Sequence, residues 1–329
     1  MTQLTSNTTA FIEAQQYSQF IIENLEPFLL PEIFWRDVSD FQKGTTLNIK
    51  TIGDVTLQEA AEDVPLTFNP SDTGNVTLTI ADYVGDAWAV SDDVRLDGSQ
   101  IDTLMGQRAM ESTRAFAQHH ETRFLATAAN SIQTLANVNL VNSVPHRWVA
   151  GGAGATNRVM TLEDMAYMQF AFDEADVPAE GRIAIVPPVV ALTLGTLTNI
   201  VNVSNNPMFE GLVQTGFSRN HKFVTNVYGW DVWTSTRLPA KTATEALDAS
   251  TYSLANDTAE IGDKACIFMC IADDQTKPVM HAWRSRPSVE GWREHNERKD
   301  KFQAVSRFGF GGQRSDSLGV IWVHPTNRS

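Results

Sequence analysis

Two histidines stand side by side at His119 and His120, and two thiols lie four residues apart at Cys266 and Cys270. Such groups bind transition metals or act as nucleophiles, so their spacing decides what they can do. Neighbours on a helix point about 100° apart, too divergent to share one metal ion, and the histidines read as helix packing. The cysteines fall in an apolar run with strand character. Four residues there span about 13 Å, beyond a disulfide's reach, and both thiols share the side of Phe268, as buried residues do. Asp82, Asp86, Asp92, Asp93 and Asp97 have the charge for calcium without the twelve-residue spacing or closing glutamate of a calcium loop. They read as a solvated acidic face. Gly152-x-Gly154-x-x-Asn157 lacks the third glycine of a dinucleotide fingerprint and follows no strand. There is no GxSxG elbow, no GxxxxGKS/T phosphate loop and no HExxH helix. The sequence therefore predicts no catalytic residue, no cofactor and no metal.

Charge placement says more. The formal net charge is −14; residues 1–100 hold 16 acidic and 4 basic side chains, whereas residues 281–329 hold 5 and 9. An acidic front and a basic end can attract copies of the same chain. Trp283, Arg284, Arg286, Trp292, Arg293, Arg298, Lys299 and Lys301 interleave aromatics with cations, a pattern shared with nucleic-acid binders. Glu290, Glu294, Glu297 and Asp300 cancel half of it, so salt-bridged contact between protein subunits is the expectation. Overall acidity argues against a nucleic-acid reader. With 329 residues, 42% of them hydrophobic, the chain can bury a large core. Two cysteines fit a reducing compartment. The polar start, Met1–Ala10, has no basic residue and does not read as a signal peptide; no apolar run is long enough to span a bilayer.

The elements that place these groups follow from periodicity. Phe11, Ile12, Phe20, Ile21 and Leu25 recur at helical spacing before Pro27 and Pro31 break the pattern, giving an arm over residues 1–40. Residues 45–90 read as a long hairpin: Thr45–Thr51 alternates, Val76, Leu78 and Ile80 alternate with Thr77, Thr79 and Ala81, and turn formers lie between. A helix is expected over 99–135, capped by Ser99, with Phe116, His120, Phe124 and Ala128 on one face. Residues 136–160 read as loop. Then come a helix from Thr161 to about Glu174, a buried strand at Arg182–Val186, and a helix at Val189–Leu197. Strand character returns over 221–238, Lys241–Asp257 reads as a surface loop, and strands are expected at Ala265–Ala272, Val279–Ser285, Lys301–Phe308 and Leu318–Val323. Gly309-Phe310-Gly311-Gly312 reads as a turn before the last of these. The class is α+β.

Four stretches in this order resemble a known family. Phe28-Leu29-Leu30-Pro31-Glu32-Ile33-Phe34-Trp35 is similar to the end of its N-terminal arm. Lys43-Gly44-Thr45-Thr46-Leu47-Asn48-Ile49 is similar to the start of its extended loop. Gly181–Pro188 is similar to the strand and proline before an apical helix, and Tyr228–Ser235 with Leu238-Pro239 to its G-x-x-V-x-x-S-x-x-L-P segment. Together they cover nearly the whole chain and resemble the major capsid proteins of tailed double-stranded DNA bacteriophages, with the Hong Kong 97-type fold.

The resemblance implies an N-terminal arm (1–40), an extended loop (41–92), a peripheral domain with a spine helix (93–150) and an apical domain (151–261). The long peripheral strands (262–305) and a C-terminal strand returning to the apical domain (306–329) would follow. It further implies a non-enzymatic shell subunit, assembled as hexamers and pentamers in the host bacterial cytoplasm. The icosahedral virion capsid would enclose DNA without sequence-specific binding, with a portal protein and, in some relatives, a decoration protein as partners. Because the loop starts by residue 45, a separate scaffolding protein is expected in place of a long N-terminal scaffold segment. The stretch between Thr51 and Tyr83 has no lysine, and only Lys43 and Lys50 flank it, so non-covalent shells are expected. One interface is expected to pair Glu59, Glu62 and Asp63 of the hairpin with Arg284, Arg286, Arg293 and Arg298 of a neighbour. Two rivals make different demands: an encapsulin-type nanocompartment shell has the same fold, and an acidic α+β hydrolase would need a deep pocket with perturbed carboxylates.

Overall fold

The computed structural model describes residues 30–40, 44–53, 57–97 (without 61, 64, 66, 69, 71 and 72), 101–131, 139–151, 157–196, 223–247 and 257–327. The arm before residue 30, the Ser99 cap and the glycines at 152 and 154 lie outside them. After a 3-10 turn at Glu32–Phe34 comes β1 (Arg36–Asp37), then β2 (Thr46–Ile52), β3 (Thr73–Thr79) and β4 (Asp82–Ser91). A short helix α1 (Asp92–Asp97) leads into α2 (Ile101–Asn130). β5 (Leu140–Val141), β6 (Val144–Pro145) and β7 (Arg147–Val149) precede α3 (Leu162–Glu174), β8 (Arg182–Val186) and α4 (Pro188–Thr196). The rest is strand: β9 (Phe223–Val227), β10 (Trp230–Thr234), β11 (Glu245–Leu247), β12 (Asp257–Ala259), β13 (Lys264–Cys270), β14 (Val279–Glu294), β15 (Lys299–Gly312) and β16 (Leu318–Val323).

Two sheets organise the chain. The larger has the order β7-β16-β13-β8-β10-β9. Every residue of β8 and β16 is buried, which is why both read as unbroken apolar runs: each face of the sheet is covered. One face packs Ala184, Val186, Cys266, Phe268 and Ile321 against Met165, Met168 and Phe172 of α3 and Val190 and Leu194 of α4. The other packs Ile183, Ile185, Ile267, Met269 and Trp322 together with Phe124, Leu125, Ala128 and Ala129 of α2. Cys266 and Cys270 are free thiols buried on the first face, on the side of Phe268 as expected. Thr161 starts α3 with a reciprocal capping box: its hydroxyl accepts from the Asp164 N–H while Asp164 accepts from the Thr161 N–H.

The smaller sheet runs β1-β14-β15-β4. The stretch of α2 from Arg108 to Phe124 lies along it. Arg108 reaches Asp86 at 2.7 Å and Arg123 reaches Asp82 at 2.8 Å, while Trp88 stacks on Phe302 with centroids 5.7 Å apart. Thirty residues at ~1.5 Å make α2 a rod of about 45 Å, long enough to bridge both sheets.

Several expectations are corrected. Residues 136–160 are not all loop: Arg147–Val149 pairs in parallel with β16, and a three-residue strand buried at every position shows no period to read. Lys241–Asp257 is not wholly a surface loop, because β11 pairs with β12 and Leu247 and Ala259 are buried. β4 extends from the hairpin but pairs with β15 instead. The end of the arm lies across the body of the protein, where Leu30, Phe34 and Trp35 are core. The glycines at 309–312 form no turn; they continue β15, where a Cβ on Gly309 would collide with the Thr79 backbone and one on Gly311 would stand 2.9 Å from Leu78 Cδ1. Close approach, not chain reversal, requires them. The aspartates are not simply solvated: Asp82, Asp86 and Asp92 are each held by an arginine.

Candidate functional site

The hairpin is the feature the fold itself does not use up. Its strands pair from Thr46↔Thr79 to Ile52↔Thr73. Alternation puts Leu47, Ile49, Val76 and Leu78 on one face, and near the root they pack with Ile80, Met280 and Ala282. The Arg284 guanidinium donates to the Gly44 carbonyl, a second tie at the root. Farther out the support ends. Ile52 is exposed, and Leu57 and Phe68 are 90% and 99% exposed. Gln58 clamps this outer part: its amide nitrogen donates to Thr67 O at 2.9 Å and its carbonyl accepts from Thr67 N at 3.0 Å. Glu59, Glu62 and Asp63 are all exposed there, Asp63 in the left-handed region at φ 62°. Sequence reading picked out these acids and missed Gln58, Leu57 and Phe68. The available signal was two large apolar residues inside a run of turn formers.

The four arginines expected to meet those acids differ in their commitments. Arg293 lies at 2.7 Å from Asp92 and 3.0 Å from Asp300, so it is spent within the chain. Arg284 is tied to Gly44. Arg286 and Arg298 are exposed and form no ion pair among the described residues; Arg298 adopts φ 48° in the turn after β14. Lys299 and Lys301 reach Glu297 at 3.6 and 3.0 Å across the same turn. Much of the salt bridging expected between subunits is thus internal.

Behind Arg286 lies an aromatic joint between α2 and the smaller sheet. His120 Nε2 and His281 Nε2 are 2.9 Å apart, and the His120 ring stacks on Trp283 with centroids at 4.8 Å. Trp35, Phe124, Phe308 and Phe310 close round them. Burial lowers His120 to about 3, helped by His281 and His119; burial lowers His281 to about 4, opposed by Asp37. Both imidazoles are neutral, so one donates and the other accepts. The helix-packing reading of His120 holds, but its partner His281 is 161 residues away and gave no local signal. A cavity of about 350 Å³ opens beside this joint, lined by Leu30, Trp35, Phe116, Trp283, Arg286 and Phe308 among others.

Two polar clasps hold the larger sheet to α2 and to the β11–β12 pair. Buried Glu121 of α2 accepts from Ser235 Oγ at 2.7 Å and lies 3.5 Å from Arg237. Arg147 makes a bidentate pair with Glu245 at 3.1 and 3.0 Å and lies over the Trp322 ring, beside Lys241. Burial lowers Arg147 to about 10; burial, then Arg147, lowers Lys241 to about 8. Among the described residues no group of three His, Cys, Asp or Glu side chains could hold a metal ion, and no helix is long and apolar enough to cross a membrane.

A projecting hairpin, a rod joining two sheets and a tip left without cover describe a part made to meet other parts. Residues 75–323 match the family model described as phage capsid protein. The chain belongs to the phage capsid protein family. Solved capsids have the same fold. The mature capsid of bacteriophage PhiM1 aligns with TM-score 0.71 at 12% identity, covering 98% of this chain and 96% of that one. The capsid of cyanophage P-SCSP1u gives 0.68 at 16%, covering 96% and 94%. A chain of Mycobacterium phage Che8 gives 0.62 at 14%, covering 93% and 96%. No curated relative matches in sequence. The capsid protein is a non-enzymatic structural subunit of the virion shell, and neither the hydrolase nor the nanocompartment reading is favoured.

Proposed function

We propose that this capsid protein closes into an icosahedral shell of hexamers and pentamers that encloses packaged double-stranded DNA. The observation that carries this is the hairpin, anchored at its root and bare at its acidic, apolar tip. A two-stranded hairpin is marginal without a partner surface, and the uncovered tip calls for a neighbouring copy. The smaller sheet with α2 is then the peripheral part and the larger sheet the apical part around the capsomer axis. The tip acids Glu59, Glu62 and Asp63 meet Arg286 and Arg298 of a neighbour, with Arg284 and Arg293 reinforcing the receiving surface from their internal ties. A separate scaffolding protein guides assembly in the host bacterial cytoplasm, and a portal occupies one vertex. Net negative charge keeps the lining from gripping phosphate.

The test is negative-stain electron microscopy of the full chain co-expressed with its neighbouring genes, after gradient sedimentation. Closed spheres tens of nanometres across are expected, and small discrete particles at every salt and protein concentration would overturn the reading. On a denaturing gel of virions the protein should run as one band, because only Lys43 and Lys50 flank a loop without lysine. A ladder of linked bands would refute non-covalent assembly.

A further inference from the structure

The hairpin tip is built to display two side chains, and the molecule carries a cavity that suits them. Gln58 bonds both the N–H and the carbonyl of Thr67, fixing the two limbs of the tip, and on either side Leu57 and Phe68 stand almost wholly in solvent. Isolated apolar residues on a surface need no explanation, but two of them held by a dedicated clamp on a projecting element do. Around them are Glu59, Glu62 and Asp63, so a receptor should be apolar within and cationic at its edge.

Two described cavities can be compared. One, of about 510 Å³, lies between the outer half of the paired hairpin strands, at Ile49–Ile52 and Val76, and Arg36, Gln313 and Arg314; about half of its lining is polar, and Arg314 is already held by Asp316 at 2.7 Å. The other is the 350 Å³ space beside the aromatic joint, walled by Leu30, Trp35, Phe116, Trp283 and Phe308. Its exposed cation, Arg286, has no ion pair among the described residues. Of its two acids, Glu121 is spent on Ser235 and Arg237, and Glu32 obliges the tip's carboxylates to lie toward Arg286.

Resting on the shell reading above, we infer that Phe68 of one copy inserts into the α2–β14 cavity of a second copy, with Leu57 beside it and the tip acids over Arg286. The occupant is a second copy of this chain, chosen by charge and apolar complementarity. The joint thereby becomes a contact between three elements: the spine helix, the smaller sheet and a neighbour's hairpin.

Disulfide trapping tests it, because the native thiols are both buried. Particles of the full-length Phe68→Cys/Thr113→Cys double variant, Thr113 lining this cavity, should give a reducible ladder on a denaturing gel after mild oxidation. Phe68→Cys/Ser315→Cys, aimed at the 510 Å³ cavity, should give none. Intact particles with no ladder from the first pair, or a ladder from the second, overturn the docking while leaving the shell reading standing. Particles that never form, even with the wild-type sequence, overturn the shell reading and the docking with it. Phe68→Ala should raise the critical concentration for assembly at least about tenfold, without shifting the unfolding midpoint of the unassembled chain. An unchanged critical concentration counts against the plug, and Phe68→Leu should recover part of the loss.

Discussion

The two sheets of this capsid protein solve opposite problems. The six-stranded sheet is covered on both faces and is all but continuous apolar sequence at β8, β13 and β16. The four-stranded sheet carries α2 on one face and, on the other, only the root of the hairpin over Met280 and Ala282. The outer half of β14 is exposed along its length, and its contacts there include exposed ion pairs such as Arg293 with Asp92 and Asp300. On the proposed reading one region is complete as a monomer, and the other is finished by its neighbours. Stability and assembly are therefore carried by different residues, and substitutions should separate them.

The largest effect is expected in the covered sheet. Phe268→Ala removes a ring that meets Trp230 edge-on at 5.0 Å and should cost about 3–5 kcal/mol in urea unfolding of the unassembled chain. A cost near that of an exposed substitution would break the contrast. Next, Glu245→Ala leaves Arg147 buried without its bidentate partner and should cost about 3 kcal/mol by the same measurement, while Glu245→Gln keeps part of the hydrogen bonding and costs less.

The joint between the sheets should show as pH dependence. Both histidines have folded values below the unfolded ~6.5, so their contribution is fully present above that pH and is lost as pH falls toward about 4 for His281 and about 3 for His120. Stability should fall as pH drops below about 6.5, and His281→Phe should flatten part of the slope. A stability profile flat from pH 6.5 to 4 would contradict the buried neutral pair. The smallest effect is expected at the open sheet: Arg108→Ala breaks a partly exposed pair with Asp86 and should cost under about 1 kcal/mol in the monomer.

What the sequence revealed divides along the same line. The strands of the covered sheet were readable because burial on both faces writes unbroken apolar runs, and the hairpin because one covered face writes strict alternation. β7 and the β11–β12 pair were not, since three residues carry no period. The glycines at 309–312 misled because glycine serves turns and close backbone approach alike, and only the Thr79 backbone beside Gly309 distinguishes the two uses. At the site, the charge imbalance pointed to the tip acids. It could not show that Arg293 is already taken by Asp92, a partner 201 residues away in sequence.

The buried thiols bear on how long a particle lasts. A virion has no means of repairing itself once it leaves a cell. Burial pushes Cys266 well above its ordinary thiol value, and its neighbours on the sheet are Phe268 and the helices that cover it. With Cys266 and Cys270 as the only cysteines and both shielded, passage from reducing to oxidising surroundings offers no thiolate to attack and no disulfide to form. Particles stored in air should keep their free-thiol count, so age acts on the shell by routes other than its cysteines.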